Sequence, residues 1–329
     1  MNTNYQQILE SLAVGDAMGM PTEFMTRQKI IKEFGFVDVL IDPEKSLIHS
    51  DLKYGQITDD TEQNLYLINV YCNEKKINVE NTVQALIQWV EETDAEVKGY
   101  IGPSSLKALK KIQMGESPEE AGKGGTTCGA PMRVLAPVLV SHASQAIDLQ
   151  DAIYHCTIPT HNTNLALEAA YCIGFAIDAA LKRKTYEEII NAAFEGAKKG
   201  RERSKYDYVG ASCWKKAEIL LQEIRKTSDE ATALDTIYYL NGTTLEANEI
   251  AAAVLGVFSI AKDDVWKAIK LGASVGGDTD TIAAISAVLA SAYSNGHNIP
   301  PEILSVVLEN NQLVLRQYAD QLINMDKSK

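Results

Sequence analysis

Apolar residues along the chain recur at the three-to-four-residue spacing of amphipathic helices in almost every segment. Strict alternation of apolar and polar residues, which would indicate β-strands, is confined to the short run 37–41. The predicted helices are, in chain order, 5–19, one from Asp59, 79–90, 104–114, one from Ser117, one ending at Val140, 145–156, 162–182, 185–200, 212–225, 229–239, 246–260, 263–272, 279–295 and 301–323. The pattern predicts an all-α protein of many short helices that cross at various angles.

The chain shows no clear boundary between domains. Residues 35–57 have a loop-like composition, but no internal repeat, low-complexity segment or convincing linker interrupts the helical pattern. A chain of 329 residues can bury one large core or two modest ones. We expect a single domain over residues 1–329.

The overall composition argues against several classes of protein. The net charge of −13 and the pI near 4.9 are unlike those of a surface that coats nucleic acid, which is normally basic. The first residues lack a basic segment followed by an apolar one, and no run approaches the roughly 18 apolar residues of a membrane span. The five cysteines are odd in number and form no Cys-x-x-Cys pair, which favours free thiols in a reducing compartment. We expect a cytoplasmic protein without a membrane segment.

Two helix starts carry a concentration of oxygen ligands. These are Asp278, Asp280 and Thr281 after the pair Gly276-Gly277, and Thr58, Asp59, Asp60 and Thr61 at the helix from Asp59. Hard cations such as Mg²⁺ prefer such ligands. Four clustered carboxylates would repel each other, and two divalent cations would balance their charge. The alternative is that each start is an ordinary N-cap followed by an acidic first turn.

Three further junctions between loop and helix are richer in polar and small residues than packing requires, namely 15–23, 124–133 and 160–162. Free backbone N–H groups at such junctions can bind anions. The glycine-rich loop 124–129 would suit phosphates, although it matches neither a Walker nor a dinucleotide motif. The alternative is that its glycines serve only the backbone.

Single residues at these junctions also have two interpretations. Glu23 is a candidate general acid or base, or a solvated loop carboxylate. His161 either lines a site or forms a structural hydrogen bond at a helix start, and Arg133 could simply pair with an acidic neighbour.

Taken together, the motifs resemble those of the ADP-ribosylglycohydrolase family. They occur in the order Gly15-Asp-Ala-Met-Gly-Met-Pro-Thr-Glu23, Thr58-Asp-Asp-Thr61, the loop ending in Gly129-Ala-Pro-Met-Arg133, Thr160-His161 and Gly276-Gly-Asp-Thr-Asp-Thr281. The resemblance implies a compact orthogonal bundle of a dozen or more helices around a cleft with two Mg²⁺, or Mn²⁺, ions. It also implies hydrolysis at the anomeric carbon of an ADP-ribosyl group carried by a protein or a small molecule. We expect a monomer or a weak oligomer.

The resemblance assigns roles to individual positions of this chain. The implied metal ligands are Thr58, Asp59, Asp60, Asp278, Asp280 and Thr281. The implied catalytic residues are Glu23 and Asp60, with Glu23 transferring a proton or positioning a water. The implied substrate-binding residues are Gly125, Thr126, Thr127, Cys128 and Gly129 for the diphosphate, with Met132, His161 and Tyr100 also lining the site.

The chain departs from the family pattern in two motifs. Arginine-directed members carry Asp-x-Gly-Asn between the first metal motif and the phosphate loop, whereas this chain has Tyr100-Ile-Gly-Pro103. A phenol with a pKa of about 10 cannot replace a carboxylate base at neutral pH, so the linkage need not be to arginine. Cys128 replaces an asparagine in the phosphate loop. The alternative functions are a nucleoside or N-riboside hydrolase and a non-catalytic protein that binds ADP-ribose.

Overall fold

The computed structural model describes residues 3–325, where every regular element is helical and no β-strand occurs. The predicted all-α fold class is therefore confirmed. The α-helices are α1 (Tyr5–Gly19), α2 (Arg27–Phe34), α3 (Asp59–Glu74), α4 (Val79–Thr93), α5 (Ala95–Lys98), α6 (Pro103–Gln113), α7 (Pro118–Ala121), α8 (Gly129–Met132), α9 (Leu135–Ala143), α10 (Leu149–Thr157), α11 (Asn164–Leu181), α12 (Tyr186–Arg203), α13 (Cys213–Ile224), α14 (Glu230–Thr236), α15 (Ala247–Ala261), α16 (Val265–Val275), α17 (Thr279–Ser294), α18 (Pro301–Asn310) and α19 (Leu315–Asn324). Short 3₁₀ turns lie at Met20–Thr22 and Pro43–Lys45, and a π-helical turn lies at Ile237–Asn241.

Contacts along the chain define two compact units. The first unit comprises Met1–Thr61 and Trp214–Leu315, and the second comprises Glu62–Cys213 and Arg316–Lys329. The single domain expected over residues 1–329 stays a prediction.

The core of the first unit is formed by α1, α15, α16 and α17. Helices α1 and α17 approach very closely. A Cβ on Gly15 would lie 2.7 Å from the Ala283 carbonyl oxygen, and one on Gly19 would lie 2.5 Å from the Asp280 Cα. Residues four apart share one face of a helix, so this glycine face lets α1 carry Asp16 to the start of α17.

The core of the second unit is centred on α11, which packs against α8, α9, α10 and α12. Among residues 3–325, α11 is the one helix long and apolar enough to cross a membrane by length and composition, with a mean hydropathy of 1.4. The expectation that no segment approaches a membrane span is therefore wrong for α11. Of the 18 residues of α11, 89% are buried inside the protein, as is usual for a core helix.

Several predicted helices differ from the observed ones. The helix expected over 301–323 is divided into α18 and α19, because the Asn311 amide donates to the carbonyls of Val307 (2.7 Å) and Gly55 (2.8 Å) and ends α18. Helix α2 was not predicted, and its N-cap is Thr26. Helix α6 begins at Pro103, so Ser104 lies inside it rather than capping it.

Candidate active site

The loop before α17 is fixed by two glycines with positive φ angles. Gly276 has φ +91° and Gly277 has φ +83°, a region that residues with a side chain rarely adopt. A Cβ on Gly277 would also lie 2.0 Å from the Thr243 carbonyl oxygen. The backbone is held by Gly277 N–H to the Met25 carbonyl (2.9 Å) and by Asp278 N–H to the Thr243 carbonyl (2.8 Å). The start of α17 is therefore rigidly positioned.

The two aspartates at this helix start are buried, with exposed fractions of 1% for Asp278 and 3% for Asp280. Asp278 occupies the N-cap position, but its side chain makes no capping hydrogen bond. By contrast, the N-cap Asp264 of α16 accepts a bond from Lys267 N–H (3.0 Å). Asp280 Oδ1 is buried and accepts no hydrogen bond within residues 3–325. Capping alone therefore does not account for this acidic pair.

Asp16 organises the other acidic helix start. Its Oδ1 accepts the Thr58 hydroxyl (2.8 Å), and its Oδ2 accepts the Thr61 hydroxyl (2.5 Å). The backbone N–H groups of Thr58 and Thr61 also donate to its carboxylate. A hydroxyl that donates its proton keeps its oxygen lone pairs available for a cation. Asp16 thus fixes the first turn of α3 while leaving the Thr58 oxygen able to act as a ligand.

Glu23 lies at the end of the 3₁₀ turn that follows α1, and its carboxylate faces His49. The Glu23 Oε2 and His49 Nε2 atoms are 2.5 Å apart. Candidate ligand atoms of Glu23, His49 and Asp280 all lie within 4.8 Å of one another, and all three residues are buried. The next residue, Phe24, has φ +59° and donates its N–H to the Gly277 carbonyl (2.7 Å). The solvated-loop interpretation of Glu23 is therefore wrong.

The electrostatics of this cluster follow from burial and crowding. Burial, followed by the charges of Asp280, Asp278 and Asp59, raises the pKa of Glu23 well above its usual range. Burial and the charge of Asp280 likewise raise the pKa of Asp60. Burial lowers the pKa of His49. Without a cation, burial therefore favours the neutral forms of both Glu23 and His49, and their contact is a hydrogen bond rather than an ion pair.

These residues fit divalent cations. Buried carboxylates that raise one another's pKa are stabilised when positive charge is added. The buried Asp280 Oδ1 offers an acceptor to which no residue between 3 and 325 donates. Thr281 also contacts the cluster, since its hydroxyl lies 3.3 Å from Asp60 Oδ2. Hydroxyl and carboxylate oxygens are the ligands that Mg²⁺ and Mn²⁺ prefer.

In the second unit, the glycine-rich loop packs on the backbone of residues 160–161. A Cβ on Gly125 would lie 2.2 Å from the Thr160 carbonyl oxygen, and one on Gly129 would lie 2.7 Å from His161 Cε1. Packing therefore requires glycine at both positions. This agrees with the alternative in which the glycines of the loop serve the backbone. The partly exposed side chains of the loop are Thr126, Thr127 and Cys128.

A buried chain of hydrogen bonds supports this loop. Arg133 Nη1 donates to the Thr160 hydroxyl (2.6 Å), which contacts His161 Nδ1 (2.7 Å), and His161 Nε2 contacts the Thr127 hydroxyl (2.8 Å). Arg133 Nη2 donates to the Ser105 hydroxyl (2.8 Å). Burial, with a further contribution from the Arg133 charge, lowers the pKa of His161 well below its usual range. His161 is thus a neutral member of the chain.

Tyr100 lies in a hydrophobic cluster of the second unit with Trp89, and only 5% of it is exposed. Its hydroxyl donates to the Glu62 carboxylate (3.1 Å), which also accepts the Trp89 indole N–H (2.8 Å). Burial raises the pKa of Glu62, and these two donors oppose the rise. Within the second unit, Tyr100 therefore anchors Glu62.

Comparison with known proteins confirms the family resemblance that the sequence motifs indicated. The family model described as ADP-ribosylglycohydrolase matches residues 4–329. The chain belongs to the ADP-ribosylglycohydrolase family.

Individual relatives of this ADP-ribosylglycohydrolase are distant but extend over nearly the whole chain. The uncharacterized protein YegU of Escherichia coli (strain K12) is 28% identical over 94% of this chain and 93% of its own length. The ADP-ribosyl-[dinitrogen reductase] glycohydrolase of Rhodospirillum rubrum is 23% identical over 95% of this chain and 92% of its own. A solved "ADP-ribosylglycohydrolase-related protein complex" has the same fold, with a TM-score of 0.69 at 21% identity, covering 99% of this chain and 97% of that chain. Membership makes this protein a glycoside hydrolase that acts on ADP-ribosyl glycosidic bonds.

The residues to which the sequence assigned functional roles are divided between the two units of this ADP-ribosylglycohydrolase. The first unit contains Glu23 and every predicted metal ligand, and it brings the two acidic helix starts together. The second unit contains the predicted substrate-binding residues, of which Met132 is buried with its carbonyl accepting the Asn64 amide (3.0 Å). The roles of all these residues stay predictions.

Two site residues, Asp16 and His49, were not predicted from the sequence. The sequence does contain an indication for Asp16, because a charged residue inside the apolar run of α1 is unusual. No sequence pattern indicates His49, since it lies in the irregular segment 35–57.

Proposed function

We propose that this ADP-ribosylglycohydrolase requires two divalent cations, Mg²⁺ or Mn²⁺, and releases ADP-ribose from a modified protein or small molecule. The observation that carries the proposal is the buried acidic cluster of the first unit, in which Asp280 Oδ1 accepts no hydrogen bond from any residue of the described range 3–325. A buried carboxylate oxygen without a partner is costly unless a cation compensates it. The capping alternative leaves this oxygen unexplained.

The cations would be held by Thr58, Asp59 and Asp60 at one helix start and by Asp278, Asp280 and Thr281 at the other. Bound there, they would polarise ribose hydroxyls and lower the pKa of a bound water. Asp16 keeps Thr58 and Thr61 in place, because its carboxylate accepts hydrogen bonds from the hydroxyl and the backbone N–H of both residues. The glycines at 276–277 set the position of Asp278.

Glu23 is the acid or base of the proposed reaction. Its carboxyl is buried, and its orientation is fixed by His49 Nε2 at 2.5 Å. A carboxyl held in this position can deliver a proton to a leaving group or take one from water. His49 positions this carboxyl.

The leaving group need not be arginine. Arginine-directed members carry an aspartate at the position of Tyr100. The side chain of Tyr100 is buried, and its hydroxyl donates to the Glu62 carboxylate. In the second unit, the partly exposed hydroxyls of Thr126 and Thr127 in the loop 125–129 would bind the diphosphate. A monomer or weak oligomer in the cytoplasm stays our prediction.

The proposal is tested by incubating the purified protein with peptides that carry ADP-ribose on arginine or on serine, and with inosine. Products are identified by mass spectrometry, with added Mg²⁺, with added Mn²⁺ and with a chelator. We expect free ADP-ribose from at least one peptide, loss of turnover in the chelator, and recovery when either metal is restored.

The matched variants are Asp280→Asn and Asp264→Asn, since both residues lie at helix starts but Asp264 makes ordinary hydrogen bonds. Asp280→Asn should remove metal-dependent turnover, and Asp264→Asn should retain it. Turnover that survives both the chelator and Asp280→Asn would refute the metal centre. Hydrolysis of inosine alone would refute the ADP-ribosyl substrate.

A further inference from the structure

The hydrogen-bond chain from Arg133 to Thr127 has a direction that its donors and acceptors determine. A guanidinium can only donate, so the Thr160 hydroxyl oxygen accepts from Arg133 Nη1. The Thr160 proton must go elsewhere, and the other polar atom in contact with this hydroxyl is His161 Nδ1. Thr160 is only 1% exposed, and a buried hydroxyl proton without an acceptor is costly. Thr160 therefore donates to His161 Nδ1.

The next two steps follow from the chemistry of imidazole. A neutral histidine has one donor and one acceptor nitrogen. Since Nδ1 accepts, Nε2 carries the proton and donates to the Thr127 hydroxyl oxygen at 2.8 Å. The reverse arrangement would leave the Thr160 proton without an acceptor. The neutral form of His161 agrees with its lowered pKa, which arises from burial and from Arg133.

The Thr127 hydroxyl is thus left with its own proton to donate. Its side chain is partly exposed, and among residues 3–325 the hydroxyl contacts only His161. The loop around it is fixed, because Thr163 donates to the Gly125 carbonyl (2.7 Å) and Gly129 packs on the His161 ring. Hydrogen bonds in series polarise one another, so a chain that begins at a guanidinium strengthens its last donor.

We propose that Arg133, Thr160 and His161 are positioning residues that commit the Thr127 hydroxyl to donate to an anionic oxygen of the bound ligand. This inference rests on the proposed function, in which the anionic oxygen belongs to the diphosphate of the ADP-ribosyl group. Thr127 binds the ligand directly, and His161 acts through Thr127 without transferring a proton in the reaction.

The direction of the chain is tested without any ligand. Nitrogen-15 NMR of the protein labelled at its five histidines distinguishes the two neutral tautomers, and His161→Gln assigns the signal. We expect protonated Nε2 and unprotonated Nδ1 at neutral pH. A proton on Nδ1, or on both nitrogens, would overturn the proposal.

The ligand contact is tested by calorimetric titration with ADP-ribose of Thr127→Ser, Thr127→Val, His161→Leu and the double variant Thr127→Val/His161→Leu. Loss of a hydrogen bond to a charged group should weaken binding roughly tenfold or more in Thr127→Val, whereas Thr127→Ser should bind like the unchanged protein. His161→Leu should also weaken binding, and the double variant should bind no more weakly than Thr127→Val alone. Additive losses, or an unchanged affinity of Thr127→Val, would overturn the proposal.

The matched control is Thr93→Val, because the half-buried Thr93 hydroxyl donates within its own helix to the Trp89 carbonyl (2.7 Å). It should leave the affinity for ADP-ribose unchanged, and urea denaturation checks that every variant is folded. If the unchanged protein neither binds ADP-ribose nor releases it, the proposed function and the ligand contact both fail. The NMR result would then still decide the direction of the hydrogen bonds.

Discussion

The Nε2 atom of His49 lies 2.5 Å from the Glu23 carboxylate, and both side chains are buried beside Asp280. Metal-bound and catalytic carboxylates depend on such neighbours for their orientation. Glu23 is further crowded by like charges, which together with burial raise its pKa. His49 is thus the hydrogen-bond partner that keeps this carboxyl in one position.

Replacement of His49 should therefore lower turnover more than substrate binding. We expect His49→Leu to reduce kcat at least roughly tenfold, the scale of losing one positioned hydrogen bond, with a smaller change in KM. His49→Gln, which keeps a polar partner for Glu23, should recover part of the loss. Release of ADP-ribose measures both constants, and His142→Gln, a half-buried histidine of the second unit, is the control. Full kcat in His49→Leu would show that Glu23 does not need this partner.

Asp16 should be important for stability because four donors converge on one buried carboxylate. Asp16→Asn places an amide N–H against these donors and should lower the free energy of unfolding by roughly 1–3 kcal/mol. Urea denaturation measures the change. Asp229→Asn is the matched control, since Asp229 accepts local bonds from Ser228 and Thr232 at an exposed cap, and it should cost less. An equal effect of the two substitutions would contradict the organising role of Asp16.

The sequence predicted the helices and the acidic motifs because both depend on neighbouring residues. Helical spacing after Asp59 and Thr279 is a local property, and so is the pairing of carboxylates at those two helix starts. The meeting of Asp16 with Thr58 depends instead on the path of the chain across 42 positions, which include helix α2 and the irregular segment 35–57. His49 lies on that path, where no periodic pattern records which side chain faces inward.

The end of α18 shows the same limit. Asn311 ends the helix through its bond to the Gly55 carbonyl, and the two residues are 256 positions apart.

Tyr100 illustrates a different limit. The sequence showed that a phenol replaces a carboxylate, but only the structure shows that this phenol is buried against Glu62.

Gly277 should tolerate alanine much less well than Gly35. Both glycines have positive φ angles, but a Cβ on Gly35 meets nothing within 4 Å, whereas one on Gly277 would lie 2.0 Å from the Thr243 carbonyl oxygen. Gly35→Ala should cost only backbone strain, roughly 1–2 kcal/mol. Gly277→Ala should cost more and displace Asp278, so that metal-induced thermal stabilisation is also lost. If Gly277→Ala and Gly35→Ala had equal free energies of unfolding and Gly277→Ala were still stabilised by metal, the loop would not be what positions Asp278.

Tyr100→Asp should not create activity on arginine-linked ADP-ribose. The new carboxylate would lie in a hydrophobic cluster beside Glu62, where burial and like charge both oppose ionisation. We expect lower stability in urea and no gain in turnover of an arginine-linked peptide. Tyr100→Phe is the control and should cost about 1 kcal/mol for one lost hydrogen bond. A gain of arginine-directed turnover in Tyr100→Asp would show that this position alone determines the linkage.

His161 should make the protein less stable as the pH falls below about 6.5, the ordinary pKa of histidine in an unfolded chain. The pKa of His161 in the folded protein is lowered by burial and by Arg133, so below that pH the unfolded chain binds a proton that the folded protein does not. The free energy of unfolding therefore falls with decreasing pH, by at most about 1.4 kcal/mol per pH unit from this residue. The loss continues until the lowered folded-state pKa is reached.

Because the buried carboxylates of the first unit change stability in the opposite direction, the contribution of His161 is measured as a difference. Urea denaturation of the unchanged protein and of His161→Gln at several pH values between 5 and 8 should give curves that converge as the pH falls. Above about pH 7 both chains have a neutral side chain at this position, and the difference should be constant. Parallel curves across the whole range would mean that His161 takes up a proton in the folded state as readily as in the unfolded one.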